Sequence, residues 1–129
     1  MTNGLSTTTA PSLDGRVFAV VVNEVGEVDA ATVFSYQENG GVVSARYAGG
    51  AIRLGYLVGT RRGDDLDFRY VHLNGAGDTA AGRCHSRIEV LTDGRLRLHE
   101  DWHWESRAGS GTSVVEEMHA VEELQPRGI

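Results

Sequence analysis

Short runs rich in Val, Ile, Phe, Tyr, Trp and Thr recur along most of this chain, separated by turns that carry glycine. Such a rhythm admits little besides an all-β domain. The runs fall at 16–23, 32–37, 42–47, 52–61, 66–73, 79–91, 96–105 and 112–121, which makes eight expected strands. Between them, Glu38-Asn39-Gly40-Gly41, Ala48-Gly49-Gly50-Ala51, Arg62-Gly63-Asp64-Asp65, Asn74-Gly75-Ala76-Gly77-Asp78 and Thr92-Asp93-Gly94 supply residues that tolerate positive φ, as hairpins require. Consecutive hairpins give an antiparallel up-and-down meander. Eight such strands would leave two open edges in a flat sheet, and curling into a small barrel removes them. The expected fold is therefore an all-β, eight-stranded antiparallel meander barrel, with a two-sheet sandwich as the alternative. Only the last run invites another reading, because Val114 to Val121 mixes Glu and Met with β-branched residues. It is read as a strand.

The chain has 129 residues, which suits one domain: a flexible leader at 1–15 without hydrophobic periodicity, a barrel at 16–122 and a tail at 123–129. Eighteen acidic against twelve basic residues give a net charge of −6, which repels phosphate backbones and anionic lipid surfaces. Nucleic acid and membrane are not the expected partners. A small molecule or another protein is, and a homodimer is compatible with such a chain. Cys84 is the single cysteine and cannot form an intramolecular disulfide. Met1 to Gly15 carries neither a basic region nor an apolar run, and no stretch approaches the roughly 20 apolar residues of a membrane span. The cytoplasm is the expected compartment.

The most informative stretch is Leu98-His99-Glu100-Asp101-Trp102-His103-Trp104-Glu105. Alternation in a strand places Leu98, Glu100, Trp102 and Trp104 on one face and His99, Asp101, His103 and Glu105 on the other. The tryptophan face belongs inside, which puts the Glu100 carboxyl there as well. A carboxylate so placed has a raised pKa unless a donor or cation pairs with it. The same parity groups Gly82, Cys84 and Ser86 on the sixth strand, Ser113, Val115 and Glu117 on the eighth, and Tyr70 with His72, opposite Arg69, on the fifth.

Five segments carry a resemblance: Ser44 to Gly50; Phe68-Arg69-Tyr70 with Asn74; Gly82-Arg83-Cys84-His85-Ser86 with Glu89; Arg97 to Trp104; and Ser113 to Glu117. In order and spacing they resemble a family of short bacterial proteins, lipocalin- or avidin-like small barrels, whose members often carry the label "N-acetylglutamate synthase". The resemblance implies a calycin-like barrel that retains interior polar residues. Ala108-Gly109-Ser110 departs from the acidic turn that the resemblance leads one to expect. An acetyl-CoA-dependent acetyltransferase of the usual kind needs a strand, a glycine-containing pyrophosphate loop and an amphipathic helix in succession. No segment offers them.

Several motifs also have plain structural readings. His99 and His103, four apart on a strand, are separated by roughly 13 Å and cannot share one metal ion. His85 faces away from its neighbour Cys84 and cannot easily activate it, so Cys84 reads first as a core thiol. Glu116 and Glu117 present one carboxylate to each face, solvated or capped by arginine, while Arg61-Arg62 reads as surface charge. Neither a metal nor a cofactor is expected. Two functional readings share the interior. In the first, the lumen binds a small, partly apolar molecule between Trp102, Trp104 and Tyr70, with Glu100, Ser86, Glu117 and Cys84 beside it. In the second, it is a cofactor-free isomerase, cyclase or dehydratase with Glu100 as acid or base and Tyr70 or His72 as its partner. A structural or oligomer-forming domain is the third.

Overall fold

The computed structural model describes residues 9–23 and 26–119. Its strands are β1 (Val17–Asn23), β2 (Val33–Asn39), β3 (Val42–Gly49), β4 (Ile52–Arg62), β5 (Asp65–Asn74), β6 (Thr79–Val90), β7 (Leu96–Trp104) and β8 (Ser110–Glu117). Each pairs antiparallel with the next, and β8 returns to β1 to close the barrel. Closure decides against the two-sheet sandwich. It also satisfies the backbone polar groups that a sheet edge would leave bare.

The β2–β3 turn shows how local sequence sets the path. Gly40 and Gly41 both take positive φ, 60° and 81°, the pair of left-handed residues a tight two-residue hairpin needs. The β7–β8 hairpin forms despite its unexpected sequence, with Trp104 N donating to the carbonyl of Gly109. Inward parity along each strand builds one core from Phe18, Phe34, Tyr36, Val43, Leu57, Leu66, Ile88, Leu98 and Val115 among others. The last strand ends at Glu117, and the expected tail at 123–129 lies outside the described residues.

Two expectations are corrected at one end of the barrel. Residues 10–15, expected to be a loose leader, plug that end: Leu13 is fully buried and Ala10 nearly so. Their backbone is captured by side chains from the hairpins around them, Leu13 N donating to Glu38 Oε1 (2.9 Å) and Ala10 N to Asp64 Oδ1 (2.7 Å). Arg61 is not surface charge. Its buried guanidinium donates to the carbonyls of Pro11 and Ala10 and to Glu38 Oε1, all within 2.9 Å. A leader with little hydrophobic pattern is thereby held by main-chain hydrogen bonds plus one leucine, a signal that periodicity cannot carry.

Candidate functional site

The opposite end, where the β1–β2, β3–β4, β5–β6 and β7–β8 connections lie, opens into a cavity of about 60 Å³. At roughly 10–15 Å³ for each water, that is room for about four to six. Phe34, Tyr47, Phe68, Tyr70, Trp102 and Trp104 supply its aromatic walls, and Asn23, Glu27, His72, Cys84, Glu100 and Ser113 its polar or ionisable groups.

The walls follow from a repeated cross-strand pairing. Tyr47 stands directly opposite Gly55, Phe68 opposite Gly59, Tyr70 opposite Gly82, and Trp102 opposite Gly111. At the Tyr47, Tyr70 and Trp102 pairs the ring lies where a Cβ on the glycine would sit, whereas at Gly59 that place is taken by the backbone of Asp67 and Phe68. A strand glycine lacks a side chain to pack, and an aromatic neighbour covering it restores the lost contact while the ring gains a flat seat. Trp102 and Trp104 then meet edge to face at 5.5 Å, and Trp104 meets both Tyr70 and His72 at 5.8 Å.

Glu100 is buried on the inner face, as parity requires. In register it lies between Ser86 of β6 and Ser113 of β8. Ser113 Oγ donates to Oε1 at 2.9 Å and Ser86 Oγ to Oε2 at 3.3 Å. Burial pushes the carboxyl up to about pH 7, against the two hydroxyls, which favour the charged form. No cation touches it among the described residues. Cys84 is buried nearby, its thiol pushed up by burial first and by the Glu100 charge second.

At the mouth a second polar group forms from three elements. The Tyr47 hydroxyl lies 3.0 Å from His72 Nδ1, and His72 Nε2 lies 2.8 Å from Glu27 Oε1. Asn74 Nδ2 donates to Glu27 Oε2 at 2.9 Å, and this bond above all lowers the Glu27 pKa. An ionised Glu27 makes His72 Nε2 the donor, so a neutral ring takes the Tyr47 proton at Nδ1. Arg107 lays its guanidinium 4.3 Å from the Trp104 ring centroid, with Nη2 3.6 Å from Glu27. Asn23 donates to the Val28 carbonyl, and its buried Oδ1 has no partner among the described residues.

Of the residues expected at the site, Glu100, Tyr70, His72, Trp102, Trp104 and Cys84 line the cavity. Ser86 acts one step behind, through Glu100. Glu117 does not belong: its carboxylate lies at the plugged end, bound by Arg16 at 2.8 Å and by Leu96 N at 3.0 Å. Parity gave its face correctly, but the strand carries it to the far end from Ser113. Its neighbour Glu116 is capped outside by Arg95 and Arg97. The outward histidines pair with surface acids, His85 with Asp65 and His99 with Glu89. Among the described residues no three His, Cys, Asp or Glu side chains converge on a metal position.

Tyr47, Phe34, Asn23 and Glu27 are additions that the sequence did not bring forward. Tyr47 had a usable signal, an inward parity opposite a strand glycine. Asn23 and Glu27 had none, since the β1–β2 loop folds back over the mouth only in three dimensions.

Eight closed antiparallel strands, plugged at one end and open at the other to an aromatic cavity, define a calycin-like barrel. Within that class, the avidin-like protein family matches residues 11–118, and the chain belongs to it. No curated protein and no solved structure matches the chain.

Proposed function

We propose that this barrel binds a small molecule through its open end, seating a compact or flat group between Trp102, Trp104, Tyr70 and Phe68. The observation that carries this reading is the cavity itself, where aromatic faces surround a few convergent polar atoms. Its size limits the inserted group. Ligand pockets for whole drug-sized molecules run to roughly 300–1,000 Å³, so here one end of a ligand enters and the rest stays at the mouth. Glu100, with Ser113 beside it, and the unpartnered Asn23 Oδ1 fix orientation.

The chain's two tryptophans both line the cavity, which makes their emission a direct reporter of occupancy. Titration with a panel of biotin, neutral heterocycles, organic cations and small carboxylates is expected to give a saturable change with at least one class. A flat response from every member, with no rise in melting temperature, would remove the reading.

A second reading keeps the cavity and adds acid–base chemistry, as in a cofactor-free isomerase, cyclase or dehydratase. It is favoured by the Tyr47–His72–Glu27 line at the same cavity as Glu100, two polar groups suited to opposite proton transfers. Protein-catalysed exchange of a bound ligand's C–H for deuterium, lost in Glu100→Gln, is its test.

A further inference from the structure

We infer that the group seated in the cavity is a small organic cation rich in N–H donors, of the amidinium, guanidinium or protonated-amine class, held against the Glu100 carboxylate. The inference rests on the proposed binding function and narrows it to one charge class.

Hydrogen-bonding capacity at the wall is the first argument. Among the described residues, Asn23 Oδ1 is a buried acceptor with no partner. The Tyr47 hydroxyl, spent on His72 Nδ1 when that ring is neutral, turns only lone pairs to the cavity. The Glu100 oxygens each take one bond from a serine and keep further lone pairs. The few polar atoms of this mostly apolar wall are therefore acceptors, and they ask for donors.

Charge is the second. Among the described residues no arginine or lysine lines the cavity, while two carboxyls do, Glu100 inside and Glu27 at the mouth. Six aromatic rings complete the lining, and their faces attract a cation by the ring quadrupole, more strongly once water is excluded. The mouth already shows this chemistry within the chain: the Arg107 guanidinium stands over Trp104 and beside Glu27. A free cation one step deeper would meet Trp102 and Glu100 in the same manner.

Proton balance follows. Glu100 faces Ser86 and Cys84 of β6, Ser113 of β8, Tyr36 of β2, Tyr47 of β3 and Tyr70 of β5, and His72 of β5 lines the same cavity. Burial raises the thiol and the three phenols, which keeps them neutral. Glu100 is the buried acid left to ionise near neutrality. A bound cation replaces its proton, which leaves to solvent, so proton release per cation is about one half at pH 7 and approaches one below it.

Acetamidinium, acetamide and acetate share one planar four-atom shape and differ in charge by single steps, which isolates the claim. Tryptophan emission at constant ionic strength is expected to saturate with acetamidinium, at least tenfold more weakly with acetamide and not with acetate. Below pH 7 acetamidinium affinity should fall about tenfold per pH unit, because proton and cation compete for one carboxylate. Glu100→Gln should remove that slope together with most of the affinity. Asn23→Ala should weaken binding and keep the slope, so the claim stays testable if the Gln variant does not fold. Equal binding of acetamide, preference for acetate, or a pH-independent affinity would overturn the cation while leaving a binding cavity. Silence from all three and from the wider panel would overturn both.

Discussion

A carboxyl at the centre of a barrel makes stability a function of pH in a definite direction. Glu100 is raised from its ordinary value to about 7 in the folded chain, so the folded state holds its proton longer than the unfolded state does. Its contribution is fully present below about pH 4.5 and is lost as pH rises through 7. The loss is about 3 kcal/mol, at about 1.4 kcal/mol for each unit of displacement. Chemical denaturation across pH 4.5–8 should show this decline, and Glu100→Gln should flatten it. A wild-type profile that is level or rises over that window would mean that Glu100 finds a compensating cation. Glu27 and Glu116, held below the ordinary range by Asn74 and Arg97, act with the opposite sign and at more acid pH, so the windows separate. The residue was legible from Trp102 and Trp104 two and four places along. Its serine partners were half legible: parity named Ser86 and Ser113, but only register set both beside one carboxyl.

Between elements, the glycine–aromatic pairs set the cavity walls. Gly111→Ala would thrust a methyl into the Trp102 ring. The ring must then tilt or β8 must shift, at about 1–3 kcal/mol of overpacking. Loss of stability together with a changed tryptophan emission in the free protein is expected; stability loss without a spectral change would deny the pairing. The plug behaves oppositely. Leu13→Ala should lower stability by about 2–5 kcal/mol through a cavity at the closed end and leave ligand titrations unchanged. Strand limits were readable to within a few residues because turn glycines mark them. The plug was not, because Pro11-Ser12-Leu13-Asp14 is ordinary loop sequence until Arg61, Glu38 and Asp64 converge on its backbone.

The whole molecule is a ring of unequal ladders. β1 meets β2 through three residue pairs, whereas β4 meets β5 through ten. The β1–β8 pairing also shifts register between Val20 and Val22, and Val21 and Val22 stand half exposed. Hydrogen exchange should therefore open Val20 to Asn23 first among the strands and the β4–β5 ladder last. Asn23 stands at the end of that weak strand and lines the cavity, so a ligand engaging its Oδ1 should slow exchange there most of all. Early opening in β4–β5 would contradict the ladder.

The sequence by itself determined what depends on near neighbours along the chain: eight strands, their turns, and which side chains share a face, since a strand alternates with period two. That was enough to bring Glu100, Trp102, Trp104, Tyr70, His72 and Cys84 to one interior. Tertiary structure decided everything that depends on height along the barrel and on what crosses its ends. Parity could not separate Ser113 from Glu117, four residues apart on the same face, because it fixes side and not depth. Nor could it bring Asn23 and Glu27 to the mouth or residues 10–15 into the base. Those placements come from hydrogen bonds between residues distant in sequence, which exist only once closure fixes where each strand begins.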